Sequence, residues 1–174
     1  MKKIFFIAVC SLAIFTKNVH AQTDADGAKA MMYEKYVSAK NIYAGILKAN
    51  LTDPEKWFNM GEAYFYNEQF DSAKIMYQSG AALNARFQPN QIGLAKCMLV
   101  EGKKDEALKT FAKVLDIVSS KDIPTAVLVA KGYISDEKNG MPDLAIDLMK
   151  KKIELNDKSA AAYETLGDAY KLKN

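Results

Sequence analysis

Small and bulky apolar residues recur along this chain with a long period. Ala39, Ala73, Ala107 and Ala145 each precede a large side chain by four positions: Tyr43, Tyr77, Phe111 and Met149. Four positions make about one helical turn, so each pair shares a helix face. A second column of small residues, Gly61, Ala95, Ala130 and Gly167, is followed three positions later by Tyr64, Met98, Tyr133 and Tyr170. The string from Glu34 to Lys40 aligns with that from Glu68 to Lys74, which sets the repeat length. The same step leads on to Ala107, and a slightly longer one leads to Ala145. These columns predict first helices near 55–67, 89–101, 123–135 and 160–173. They predict second helices near 36–50, 71–84, 105–118 and 142–155. Turns are expected at Asn67–Gln69, at Gly102 and at Asn139-Gly140-Met141-Pro142. Pro54, Pro89, Pro124 and Pro142 fall in or just before a first helical turn, where a missing N–H costs nothing. No strand alternation interrupts the pattern, so the fold class is all-α.

The N-terminus carries a different signal. Lys2 and Lys3 precede an almost wholly apolar run from Ile4 to Phe15, and small and polar residues follow up to Ala21. This order describes a cleavable secretory signal over residues 1–21, cut after Ala21. The run is too short for a bilayer span, which needs about 20 residues. An uncleaved anchor is the competing reading. Lipidation at Cys10 is disfavoured because Val9 precedes it and the apolar run continues past it. The expected location is therefore periplasmic or extracellular, with outer-membrane association open. No stable membrane insertion is expected after cleavage.

Removal of that segment changes the charge picture. The whole chain has 24 Lys and Arg against 21 Asp and Glu. Lys2, Lys3 and Lys17 leave with the signal and no acid does, so 21 of each remain. No basic stripe argues for nucleic acid. His20, the only histidine, also leaves, and Cys97 is the one remaining thiol. A lone thiol closes no intramolecular disulfide, so packing alone must hold about 150 residues together.

The motif Trp57-x-x-Met60-Gly61-x-x-Tyr64, followed by Ala73, Tyr77 and Gly80, resembles the tetratricopeptide repeat. Tyr163-x-x-Leu166-Gly167-x-Ala169-Tyr170 matches its first helix equally well. The intervening repeats depart from the pattern, with Gln91 and Ala126 at the aromatic position and about three extra residues around Lys138–Met141. Ala85, Ser119 and Asp157 replace the proline that ends the family's repeat. The resemblance covers roughly residues 25–174. It implies an exported, bacterial-type protein built as a right-handed solenoid of antiparallel helical hairpins. The divisions it implies are a degenerate hairpin over 22–53, repeats over 54–87, 88–122 and 123–159, and a first helix over 160–174. That last helix reads either as a cap or as the start of a further repeat in a longer protein.

In such a solenoid the first helices line a concave groove. By resemblance the groove residues are Phe58, Asn59, Glu62, Phe65 and Tyr66, then Ile92, Lys96, Leu99 and Val100, then Val127, Lys131 and Ile134. Gly93, Leu128, Glu164, Thr165, Asp168 and Lys171 occupy further groove positions. The apolar members predict a contiguous exposed patch, which marks a binding site when it exceeds a few hundred Å². Lys96 and Lys131 would meet an acid or a C-terminus of the bound peptide. The competing reading is that superhelical winding or further helices cover these side chains. The carboxylate clamp of chaperone-binding members needs Lys and Asn at positions that here hold Phe58, Ile92, Val127 and Glu164, then Glu62, Lys96, Lys131 and Asp168. That ligand class is disfavoured.

No other chemistry is expected. Without histidine there is no Ser-His or Cys-His pair and no imidazole metal ligand. Cys97 reads as a buried core thiol. Asp136, Glu137 and Asp143 lack calcium-loop spacing, and Glu101, Asp105 and Glu106 read as a solvated helix start. The expectation is a non-catalytic scaffold that binds a protein or peptide, with no cofactor, no metal and no nucleic acid; the oligomeric state is open. Two alternatives are the front part of a longer exported enzyme or envelope-assembly factor, and a glycan-binding module using Phe58, Phe65 and Tyr66.

Overall fold

The computed structural model describes residues 22–156 and 158–174. The expected signal segment, with Cys10 and the cleavage point after Ala21, lies outside them, as does Asp157 of the proline column. The described residues form nine helices and no strand: α1 (Asp24–Met32), α2 (Tyr36–Ala49), α3 (Pro54–Tyr66), α4 (Phe70–Leu83), α5 (Gln88–Val100), α6 (Lys104–Ile117), α7 (Ile123–Tyr133), α8 (Pro142–Leu155) and α9 (Ala160–Lys173). The eight helices read from the apolar columns are present. The third first-helix is shorter than expected, ending at Tyr133, and Met141 N–H donates to Tyr133 O at 2.7 Å across the expanded loop that follows. No helix among the described residues is long and apolar enough to cross a membrane.

Local chemistry sets the helix ends. Asp53, Asp122 and Ser159 each accept a first-turn N–H, which satisfies one of the donors a helix start leaves open. Pro54 opens α3 and Pro142 opens α8, while Pro89 and Pro124 are the second residues of α5 and α7. The first three hairpin turns close in one way, at the same position of successive repeats. Lys35, Gln69 and Lys103 N–H donate to the carbonyls of Ala30, Tyr64 and Met98. Glu34, Glu68 and Gly102 N–H donate to Met31, Phe65 and Leu99. This double closure needs a left-handed residue. Glu34 (φ 56°), Glu68 (φ 58°) and Gly102 (φ 76°) supply it.

Each second helix packs between its own first helix and the next one: α2 between α1 and α3, α4 between α3 and α5, α6 between α5 and α7, α8 between α7 and α9. The small-residue column is the means. A methyl group at Gly61 would stand 2.4 Å from Tyr77 Cε1, and one at Gly93 would stand 2.4 Å from its Cδ1. Tyr77 is thus clasped from both sides and fully buried. In the next hairpin Phe111 takes this role, also fully buried and edge-on to Tyr133 with ring centroids 4.9 Å apart.

Helix α1 had no predicted range. Gly27 does stand one repeat length before Gly61, and a methyl group there would meet Tyr43 Cε1 at 2.4 Å. A capping box between Thr23 and Asp26 starts the helix.

Candidate functional site on the concave face

Helices α3, α5, α7 and α9 touch in sequence, α3 to α5, α5 to α7 and α7 to α9, and form the inner layer. That contact corrects the expected apolar patch. Phe65, Ile92, Leu99 and Val127 are buried; Leu99 is fully so and Phe65 is 3% exposed. These side chains are packed in the core, against second helices as well as neighbouring first helices. Phe65 packs edge-on against Phe70, with centroids 5.2 Å apart. Ile92, Leu99 and Val127 belong to one core cluster with Phe111 and Tyr133. Phe58 is half-buried, tilted over Tyr77 and edge-on to Phe87. Asn59, Val100 and Ile134 are half-buried as well, and Tyr66, stacked on Tyr36, is the exposed aromatic of the set.

Lys96 is also corrected. It does not face a ligand: the residue is 3% exposed, and its Nζ donates to both oxygens of Glu62, at 2.8 and 3.0 Å. The ammonium lies 4.1 Å from the Phe65 ring centroid and 4.7 Å from that of Tyr66, within range of cation–π attraction. Tyr77 OH also donates to Glu62 Oε1. Burial pushes the Lys96 ammonium down, but the Glu62 charge, reinforced by Tyr66 and the hydrogen bond, outweighs it and holds the group above its ordinary value. Burial, then Glu62, push the Tyr77 phenol well up. A signal for this pair was present in the sequence: Glu62 and Lys96 occupy one position of successive repeats.

Lys131, the second lysine expected in the groove, is half-buried and has no carboxylate partner among the described residues. It stands at the junction of two hollows. One, of about 450 Å³, is lined by Tyr66, Lys131, Ile134, Glu137, Asp168 and Lys171. There Lys171 pairs with Asp168 at 3.1 Å. The other, of about 540 Å³, is mainly apolar and is lined by Ile123, Val127, Leu128, Lys131 and Asn156. A third, small hollow of about 20 Å³ is lined by Phe58, Glu62, Tyr66, Lys96, Leu128 and Lys131.

Cys97, next to Lys96 on α5, is buried in a cluster with Phe65, Ala73 and Tyr77. Burial pushes its thiol up to about 12, which removes the thiolate that reactive cysteines need.

No family model matches the chain. Over 86 residues it is 34% identical to the formate-dependent nitrite reductase complex bifunctional subunit NrfFG of Haemophilus influenzae. That match covers 48% of this chain and 22% of the relative, so the chain spans about a fifth of that protein's length. Among solved structures, the thermophilic TPR protein TTC0263 of Thermus thermophilus aligns with a TM-score of 0.63 at 14% identity, covering 83% of this chain and 78% of its own. MamA from Desulfovibrio magneticus RS-1 aligns with a TM-score of 0.51 at 17% identity, covering 86% and 82%. At such identities the likeness establishes the fold: this chain is an all-α solenoid of tetratricopeptide-type hairpins.

Proposed function

We propose that the chain is a non-catalytic scaffold that holds a polypeptide along its concave face, with Lys131 pairing to a carboxylate of the ligand. The observation that carries this reading is the contrast between two lysines of one face. Lys96 is neutralised from within by Glu62, whereas Lys131 makes no ion pair among the described residues and stands between two hollows, one of which it shares with Glu137 and Asp168. A cation held by helix packing and flanked by Tyr66, Ile134 and Leu128 suits a segment bearing one acid among apolar side chains. The glycan alternative is weakened because Phe65 is core. Export is included in the same proposal, supported by the basic and apolar pattern of residues 1–21.

The test is capture from an envelope extract by the wild-type chain and by Lys131→Glu and Tyr66→Ala variants. Phe65 and Leu99 are unsuitable positions, because a charge there would disrupt the core rather than the groove. A partner kept by wild type and lost by Lys131→Glu, with helical circular dichroism unchanged, is expected. Equal capture by all three would sink the reading.

A further inference from the structure

Asn139-Gly140 is the one place in the chain where asparagine precedes glycine. The pair sits in the expanded loop between α7 and α8, and packing dictates its glycine. Asn139 N–H donates to Asp136 Oδ1 at 2.5 Å, and Met141 N–H donates to Tyr133 O at 2.7 Å. Between these two anchors the main chain of Gly140 is pressed against its surroundings. A methyl group there would stand 2.5 Å from Asp136 O and 2.9 Å from Leu172 Cδ2 of α9. Backbone approach this close leaves room only for glycine. The groups that hydrogen bonds could restrain are left unbonded. Among the described residues, neither the Gly140 N–H nor the Asn139 carboxamide makes a hydrogen bond. Both residues are half-buried.

We propose that Asn139 is a self-modifying site, whose side chain condenses with the main chain of Gly140 in the folded protein and converts to aspartyl and isoaspartyl. The Gly140 nitrogen attacks Asn139 Cγ. An N–Cγ bond forms, the Cγ–Nδ2 bond breaks, and Nδ2 leaves as ammonia with the proton of the Gly140 N–H. Glycine suits this attack because no Cβ shields its nitrogen, and asparagine is a thermolabile residue type. Water then opens the resulting succinimide ring. Attack at Cγ gives aspartyl. Attack at the main-chain carbonyl gives isoaspartyl, in which the backbone runs through the former side chain. Either product adds a carboxylate. Isoaspartyl also lengthens the main chain by one carbon between the two anchors of the loop. That displaces Gly140 from Leu172 and loosens Met141, which is buried in the core with Ala145 and Met149. The same loop supplies Ile134, Ser135 and Glu137 to the hollow beside Lys131. The conversion itself is independent of what the concave face binds.

The test incubates the folded full chain at mildly alkaline pH, which speeds loss of the amide proton. Residue 139 is read by peptide mass spectrometry, with a fresh sample digested in parallel to set the zero. Exchange of NH2 for OH should appear at residue 139 ahead of every other asparagine. It should give two species of equal mass, with isoaspartyl the larger. Asn139→Gln, which would have to close a larger ring, should show no gain over the same interval. Helical circular dichroism verifies that this variant is folded. Aged wild-type protein should melt below fresh protein, while aged Asn139→Gln melts as its fresh form does. No gain at residue 139, or a gain confined to chains unfolded in urea, overturns the proposal. A chain fully converted at residue 139 that melts as fresh protein does would overturn the consequence drawn for the loop and Met141.

Discussion

Lys96 places an ammonium where water does not reach, and Glu62 is the counter-charge that permits it. A buried pair adds little net stability against an apolar replacement, yet breaking one side is costly because the other charge remains. Glu62→Gln should therefore lower the unfolding free energy by about 3 kcal/mol, measured by urea titration. The double variant Glu62→Met with Lys96→Met should recover most of that loss. A second prediction concerns pH. The Cys97 thiol, the Tyr77 phenol and the Lys96 ammonium all hold their protons to higher pH in the folded chain than at their ordinary values of 9.0, 10.0 and 10.5. A raised value means stability that is complete below the ordinary value and lost as pH rises past it. The thermal midpoint should fall from about pH 9 upward, and Tyr77→Phe should reduce the share of that fall that begins near pH 10. An alkaline profile unaltered by Tyr77→Phe would show that this phenol does not contribute.

At the level of helices, the stability of each hairpin depends on a turn and a clasp. Glu68 is held at φ 58° by the turn between α3 and α4, where the next repeat uses Gly102. Glu68→Gly should stabilise the protein by about 0.5–1 kcal/mol, because glycine adopts the left-handed region without a Cβ penalty. Gly61→Ala should do the opposite. Its methyl group would enter the buried ring of Tyr77, which Gly93 blocks from behind, and overpacking of this kind costs about 1–3 kcal/mol. Both shifts are readable in a thermal melt. The columns made these helices legible in the sequence, since Ala39, Ala73, Ala107 and Ala145 mark the second helices by spacing alone. Helix α1 falls within the degenerate hairpin read over 22–53 but had no bounds of its own, because only Gly27 of its column is recognisable. The burial of Phe65, Ile92 and Leu99 stood in the sequence only as the competing reading, for a different reason. Periodicity assigns a residue to a face of its own helix, while the winding between α3, α5 and α7 decides whether that face meets water or a neighbour. Likewise Lys96 and Glu62 stood at one repeat position in the sequence, but only the close approach of α3 and α5 turns that spacing into an ion pair.

Over the whole molecule, these contacts leave an inner layer whose apolar side chains mostly serve the fold and whose available chemistry converges on Lys131. On the proposed function, a ligand would be recognised through Lys131 and the two hollows beside it rather than by a broad apolar patch. Electrostatic recognition of this kind is sensitive to salt when the pair is partly exposed. The most direct measurement is the affinity of a captured partner for three forms of the chain: wild type, Lys131→Glu, and Lys109→Glu as an exposed control on α6. The account predicts that Lys131→Glu weakens binding by about tenfold or more and flattens its salt dependence, while Lys109→Glu binds as wild type does. Equal affinity of all three forms would contradict it and move the binding surface off the concave face.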